Sequence, residues 1–270
     1  MNSLSNTDIG TLAPLLGPDE PAPYEIINPD GKAQTLLICD HASRRIPNSL
    51  GNLGLADEEF ERHIAYDIGA EAITRLLSES LDAVAVIAGY SRLVLDLNRP
   101  PGHPESIPEI SDGTLIPVNQ ALSEAEKDRR ISALHDPYHE GVAHALGHLW
   151  NRGLPPALFS VHSFTPDYAN EERPWDVGVL WKHDPRIAVP IMDKFRARGM
   201  IVGDNEPYSA LDMAFTIDSH ASSAGLASIV LEIRQDQVNT DEGIKRWARI
   251  LHEDLGAIMQ MPGLYETKEF

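Results

Sequence analysis

Leu36-Leu37-Ile38-Cys39-Asp40-His41-Ala42-Ser43 is a short apolar run that ends abruptly in Asp-His. Such a run, closed by a polar break, reads as a strand buried on both faces, the kind found in parallel sheets. In open α/β sheets ligands gather just beyond the carboxyl ends of these strands, so an imidazole at position 41 is well placed for chemistry. An isolated strand-end histidine can equally be a packing residue hydrogen-bonded to a neighbour. The two readings separate on whether other strands end the same way.

Ala157 to Val161 is a second apolar run, and His162-Ser163 closes it. Further strands are expected at Tyr24 to Asn28, Ala83 to Ala88, Val177 to Trp181, Met200 to Val202 and Ser228 to Ile233, with a short extended piece at Leu93-Val94-Leu95. Asp57 as N-cap and the stripe Phe60, Ile64, Ile68, Ile73, Leu76 and Leu77 predict a helix running to about Leu81. The capping box Ser123-x-x-Glu126 opens a helix towards Trp150 with a break near Pro137. Asp184-Pro185 and Gly199 bound a third helix, and residues 240 to about 259 form the last. Strands alternating with helices imply a mixed or mostly parallel sheet covered on both faces. Residues 1–23, with four prolines after Ala13 and little periodicity, read as a loosely ordered arm, and 24–270 as one domain.

The 270 residues are 42% hydrophobic and 23% charged, as expected of a soluble globular chain. No apolar run approaches the roughly 18 residues a membrane span needs, and no basic segment followed by an apolar one marks a secretory signal, so a cytoplasmic location is expected. A formal charge of -19 argues against nucleic acid and anionic membranes as partners. A small anionic substrate must then be held by local arginines, because salt screens the wider field beyond about 8 Å. Cys39, the single cysteine, reads as a buried, inert thiol, and the tryptophans as packing residues.

In a parallel sheet His41 and His162 point towards the same edge. Two neutral imidazoles and one carboxylate are a common catalytic zinc set that leaves a position open for water. For the carboxylate, Asp67 shares a helix face with His63 at i, i+4, whereas Asp40 adjoins His41 directly. Asp67 could also be an exposed helix residue, and Asp40 could orient an imidazole or cap an amide. Glu232 interrupts the apolar strand Ile229 to Ile233 and needs a partner or a task, either an ion pair with Arg234 or general-base work beside a metal site. Arg92, Asn98 and Arg99 flank the third extended piece. An Asn-Arg pair can hold a carboxylate and a further arginine can polarise a carbonyl, although Arg99 could instead pair with Asp96. His139 could donate a proton or orient substrate. His144 and His148 read as a solvated helix face, and His220 is a loop histidine without an assigned role.

Asp40 to Ser43 through Ile46-Pro47, Ser91-Arg92 with Asp96 to Arg99, Pro137-Tyr138-His139, His162-Ser163, Asn205 to Tyr208 and Leu231 to Arg234 together resemble the N-formylglutamate amidohydrolase family, in order, over roughly residues 35–255. The resemblance implies a three-layer α/β/α sandwich of the phosphorylase/hydrolase type, similar in architecture to the zinc carboxypeptidases. It implies hydrolysis of a small N-acyl amino acid, with N-formyl-L-glutamate as substrate and one zinc ion as cofactor. It also implies His41 and His162 as zinc ligands, Asn98 and Arg99 as carboxylate anchors with Tyr208 on the substrate side, Arg92 as the group polarising the scissile carbonyl, and Glu232 as general base. Carboxypeptidases carry His-x-x-Glu at the first ligand site, and here the fourth position is Arg44. The third ligand is then expected from Asp67. One alternative keeps a metal-dependent hydrolase but gives it another N-acyl amino acid or a small peptide as substrate; a non-enzyme alternative is an anion-binding protein that uses the arginines and a structural metal.

Overall fold

The computed structural model describes residues 12–168, 171–211 and 214–270. Its strands are β1 (Tyr24–Ile27), β2 (Thr35–Cys39), β3 (Val84–Ala88), β4 (Ile110–Ser111), β5 (Thr114–Leu115), β6 (Ala157–Phe164), β7 (Asp167–Tyr168), β8 (Glu171–Glu172), β9 (Val177–Leu180), β10 (Val202–Asp204) and β11 (Ser228–Arg234). The main sheet has seven strands in the order β1-β3-β2-β6-β11-β9-β10, while β4-β5 and β7-β8 form two small separate hairpins. Strands β3, β2, β6 and β11 run parallel, β1 and β9 pair antiparallel to their inner neighbours, and β10 is parallel to β9. The sheet is thus mixed and mostly parallel.

The helices are α1 (Ala70–Leu81), α2 (Glu124–Arg130), α3 (Asp136–Trp150), α4 (Pro185–Ala197), α5 (Phe215–His220) and α6 (Asp241–Ile258). Alternation along the central strands splits the apolar side chains between two cores. Leu37, Cys39, Phe159, Val161, Ile229 and Leu231 pack with α1, α4 and α6. Leu36, Ile38, Leu158 and Val230 pack on the other face with α3 and α5. The result is a three-layer α/β/α sandwich. The same alternation turns His162 and Glu232 to the α3/α5 face at the carboxyl end of the sheet, where the register pairs them directly. Glu232 faces Gly178 on its other side. A Cβ at residue 178 would collide with the backbone carbonyl of Glu206, so glycine is what lets that loop close over the strand.

The structure departs from the expected elements in ways that bear on the site. The helix expected from Asp57 to Leu81 divides into a 3-10 turn (Asp57–Glu61), an irregular stretch and α1. The stretch turns inward because the Asp67 amide donates to the His41 carbonyl at 2.9 Å and Gly69 adopts a left-handed φ of 81°. His63 and Asp67 therefore share no helix face. Leu93 to Leu95 is a buried turn rather than an extended piece, braced by the buried Arg130, which donates to the Val94 carbonyl at 3.0 Å. The expected break near Pro137 is a π-turn over Ile131–His135 that joins α2 to α3 without interrupting the rod. Helix α4 begins on its Asp184 cap and Pro185, and Gly199 follows it at positive φ.

The expected arm falls partly outside the described residues. Within it, Leu15 is buried, and the Ser49 hydroxyl donates to its carbonyl at 2.7 Å. Among the described residues no helix is long and apolar enough to cross a membrane.

Candidate metal centre and its cavity

His41 follows the end of β2, His162 lies near the end of β6, and Asp67 reaches in from the turn before α1. Each offers one ligand atom, and the three atoms lie within 4.8 Å of one another in a fully buried group. His162 Nδ1 is 2.9 Å and His41 Nδ1 3.4 Å from the same oxygen, Asp67 Oδ2. The Ser163 amide donates to that oxygen at 3.3 Å, and the Ser163 hydroxyl donates to the Ile68 carbonyl at 2.8 Å, tying the turn to β6. Arg44, at the position where a carboxypeptidase has its glutamate, instead pairs with Glu61 on the surface.

The far nitrogens have partners of their own. His41 Nε2 lies 2.8 Å from Asp96 Oδ1, and His162 Nε2 lies 3.0 Å from the Ser160 hydroxyl and 3.6 Å from Asp40 Oδ2. Asp40 in turn accepts from the Tyr138 hydroxyl. With Nε2–H directed to Asp96, His41 Nδ1 is left as a buried lone pair without a properly aligned hydrogen-bond partner. That unmatched atom, beside a carboxylate and a second imidazole whose outer nitrogens are engaged, is the donor set of a divalent cation site. The electrostatics agree. Burial resists ionisation of Asp67 and Asp96, yet His41, His162 and Arg92 hold both carboxyls well below their usual range. Against its burial, Asp40 and Asp67 raise His162 well above the usual imidazole range. In the absence of a cation, positive charge on the imidazoles plays its part. Replacing Asp96 by Asn should weaken metal affinity about 10–100-fold, measured by competition with a chromophoric chelator, because the partner of a ligating imidazole is lost. Unchanged affinity would show that Asp96 serves only Arg92 and the loop.

The group opens on a cavity of about 390 Å³ bordered also by Glu232, Arg92, Asn98, Arg99 and Tyr208. Five expected site residues from separate parts of the chain therefore meet the cluster in one space. Glu232 is 7% exposed, and its Oε2 has no hydrogen-bond partner among the described residues. Burial, with the Asp67 charge, pushes its carboxyl up to about 7 despite His162, His41 and Arg92 nearby. It is not paired with Arg234, which bonds Asp236 instead. Arg92 donates to Asp96 Oδ2 at 2.6 Å and lies 3.5 Å from Asp67 Oδ1. Arg99 Nε donates to Glu105 at 3.1 Å, so Asp96 is the partner of Arg92 and not, as one reading allowed, of Arg99. Asn98 Oδ1 accepts from the Thr216 amide at 3.1 Å, which leaves its Nδ2 as the donor for the cavity. The proline-rich stretch 102–117 supplies part of the wall through Glu105, Pro108 and Ile110.

His139 is placed differently from expectation. It does not border this cavity, and so is not positioned to give a proton to a substrate there. Its Nε2 donates to the Leu97 carbonyl at 2.9 Å, and its Nδ1 therefore accepts from His220 Nε2 at 2.8 Å. Burial and the neighbouring His135 lower it to about 4, so it is a neutral brace behind the Asp96–Arg99 loop. Sequence reading missed Asp96 as the partner of His41. The available signal is a carboxylate four residues after Arg92, directly following a buried apolar turn. Cys39 is buried in the core, where desolvation raises its thiol well above the usual range.

Fold and site together define an α/β/α protein with a buried His-Asp-His group, able to take a metal ion, at the carboxyl ends of parallel strands. Residues 33–238 match the model of the family described as N-formylglutamate amidohydrolase, and the chain belongs to that family. It is thereby a hydrolase of the amidohydrolase type. Among solved structures, it is similar to the gene product Atu2144 from Agrobacterium tumefaciens, at 35% identity over 91% of this chain and 98% of that one, with a TM-score of 0.86. It is also similar in fold to N-formylglutamate amidohydrolase from Ralstonia eutropha JMP134, at 19% identity over 89% of this chain and 98% of that one, with a TM-score of 0.67. No curated protein matches the chain.

Proposed function

We propose that the chain is a zinc-dependent amidohydrolase that cleaves the amide bond of a small N-acyl amino acid, N-formyl-L-glutamate, to formate and glutamate. The observation that carries this reading is the position of Glu232, whose unpartnered carboxylate oxygen lies beside the His41–Asp67–His162 group in a cavity that also holds Asn98 and Arg99. Zinc held by these three residues would supply Lewis acidity for both the attacking water and the scissile carbonyl. Asn98 Nδ2 and the Arg99 guanidinium bind the substrate's α-carboxylate and fix the amide relative to Glu232. Glu232 takes a proton from the attacking water and returns it to the departing nitrogen; a carboxyl near 7 is suited to both steps. Arg92, oriented by Asp96, turns its remaining N–H groups to the oxygen that becomes negatively charged. The charge of -19 fits a cytoplasmic enzyme that takes a small anion through local arginines and has no polyanionic partner.

The test is formate release from N-formyl-L-glutamate by the zinc-loaded protein, run beside N-acetyl and longer N-acyl glutamates. We expect turnover of the formyl compound, with kcat/KM falling by more than about tenfold for each larger acyl group, the discrimination that one added carbon gives in a tight pocket. Absence of formate release, with another acyl group preferred, would overturn the substrate while leaving the hydrolase.

A further inference from the structure

Asn98 presents a donor to the cavity because of what stands behind it. An amide side chain can turn either end forward, whereas a backbone N–H only donates. The Thr216 amide, 3.1 Å from Asn98 Oδ1, therefore keeps the oxygen back and sends Nδ2 forward. Thr216 is the second residue of α5, and a helix of six residues has too few internal bonds to hold itself. Its place comes from its tertiary contacts.

Those contacts centre on His139. His220, the last residue of α5, donates from Nε2 to His139 Nδ1 at 2.8 Å. Phe215, the first residue, meets the His139 ring edge-to-face with centres 5.3 Å apart. His139 Nε2 donates to the Leu97 carbonyl at 2.9 Å, and the Thr216 hydroxyl reaches the same carbonyl at 3.5 Å. Lys182, from the segment after β9, pairs with Asp218 in the middle of the helix at 2.5 Å. One imidazole thus joins α3, both ends of α5 and the residue before Asn98. The proton pattern is fixed as well. A carbonyl only accepts, so neutral His139 carries its hydrogen on Nε2, and its Nδ1 needs the donor that His220 supplies. Burial and His135 lower His139 to about 4, and burial lowers His220 despite Asp40, so both rings are neutral at neutral pH.

We propose that His220 is a positioning residue for substrate binding: through His139 it fixes α5, and with it the Thr216 amide that turns the donor end of Asn98 towards the substrate's α-carboxylate. This rests on the amidohydrolase reading above. Neither imidazole borders the cavity, so the effect falls on binding of that carboxylate and leaves the hydrolytic centre alone.

The experiment compares N-formyl-L-glutamate with N-formyl-4-aminobutyrate, which lacks the α-carboxylate, in wild type, His220→Phe and His220→Gln. Phenylalanine keeps a ring without a donor, and glutamine Nε2 can take the place of the imidazole N–H. His220→Phe should raise KM for N-formyl-L-glutamate by roughly 10- to 100-fold, the range expected for a hydrogen bond to a charged group. Its kcat and zinc content should stay within about threefold of wild type, and kcat/KM for the aminobutyrate compound should move by less than about twofold. His220→Gln should restore most of the loss. In an Asn98→Ala background His220→Phe should add less than about twofold, because the group it acts through is gone. Equal losses for both substrates, or an undiminished effect without Asn98, would overturn the proposal and make His220 a structural tie. If His220→Phe does not fold, His220→Asn, whose shorter amide stops short of His139, carries the same comparison. If wild type hydrolyses neither compound, the amidohydrolase reading fails separately, and calorimetric binding of L-glutamate and 4-aminobutyrate decides the role of His220. A preference for glutamate that shrinks in His220→Phe supports it, and a preference that is unchanged in the variant or absent from wild type overturns it.

Discussion

Glu232→Gln lowers kcat for amide hydrolysis by about 10²–10⁴-fold, the usual contribution of a positioned acid-base group, and moves KM by less than about threefold. Glutamine keeps the size and one acceptor of glutamate but cannot take a proton from water or pass one to the departing nitrogen. Among the described residues the side chain makes no ion pair and leaves Oε2 unbonded, so little of the architecture depends on its charge. Removing a buried carboxylate that lacks a partner should leave the melting temperature unchanged or raise it, as expected where a group is kept for chemistry at the expense of stability. Loss of rate together with retained or higher stability would identify a functional carboxylate. Hydrolysis within about threefold of wild type would remove Glu232 from the reaction.

Asp67→Ala abolishes stable metal binding and, with it, activity. Asp67 Oδ2 is the oxygen towards which both imidazoles turn, and its other oxygen faces Arg92. Losing it removes a ligand and leaves Arg92 closer to an uncompensated pair of imidazoles, which repels a cation further. Partners of ligands alone are worth about 10–100-fold in metal affinity, so a ligand itself should cost more than about 100-fold. Elemental analysis of dialysed protein should find about one zinc per wild-type chain and only traces in the variant. A second readout is independent of turnover. Zinc at about 100 times its dissociation constant should stabilise metal-stripped wild type by roughly 2.7 kcal/mol, visible as a higher melting temperature, and should leave Asp67→Ala almost unmoved. Equal zinc content in both proteins would remove Asp67 from the ligand set.

The parts of this fold legible in the sequence are those governed by local pattern. Strands β2, β6 and β11 are built on apolar runs because both faces are covered, and in β6 and β11 polar side chains enter where the strand meets the cavity. The ends of α4 are readable because Asp184, Pro185 and Gly199 act on their own backbone. Sequence reading goes astray where a distant contact overrides local preference. Residues 62–69 carry a helical stripe, yet the bond from the Asp67 amide to the His41 carbonyl outweighs it. Asp67 reaches the site through that turn and not through the helical face that first suggested it.

The site divides in the same way. His41, His162 and Glu232 announce themselves by interrupting apolar strands. Asp96 does not, because a charged residue in a loop looks the same whether it faces water or a ligand. His139 belongs to a dense polar motif and is still one layer removed from the cavity, since spacing along α3 cannot tell which carbonyl an imidazole will meet. The pairing of Arg92 with Asp96, in preference to Arg99, likewise depends on a turn that bends Leu93 to Leu95 into the core.

Strand β11 is hydrogen-bonded along both edges, to β6 and to β9, and six of its seven residues are buried. Its amides, with those of β6, should therefore exchange with deuterium only when the whole molecule opens, whereas the loop bearing Asn98 and Arg99 should exchange through local fluctuations. His162 and Glu232 are thus mounted on the slowest-opening part of the chain and the carboxylate anchors on a faster one. Substitutions that retune the acyl amino acid can accumulate in that loop with little effect on global stability, while the hydrolytic step is inherited with the sheet itself.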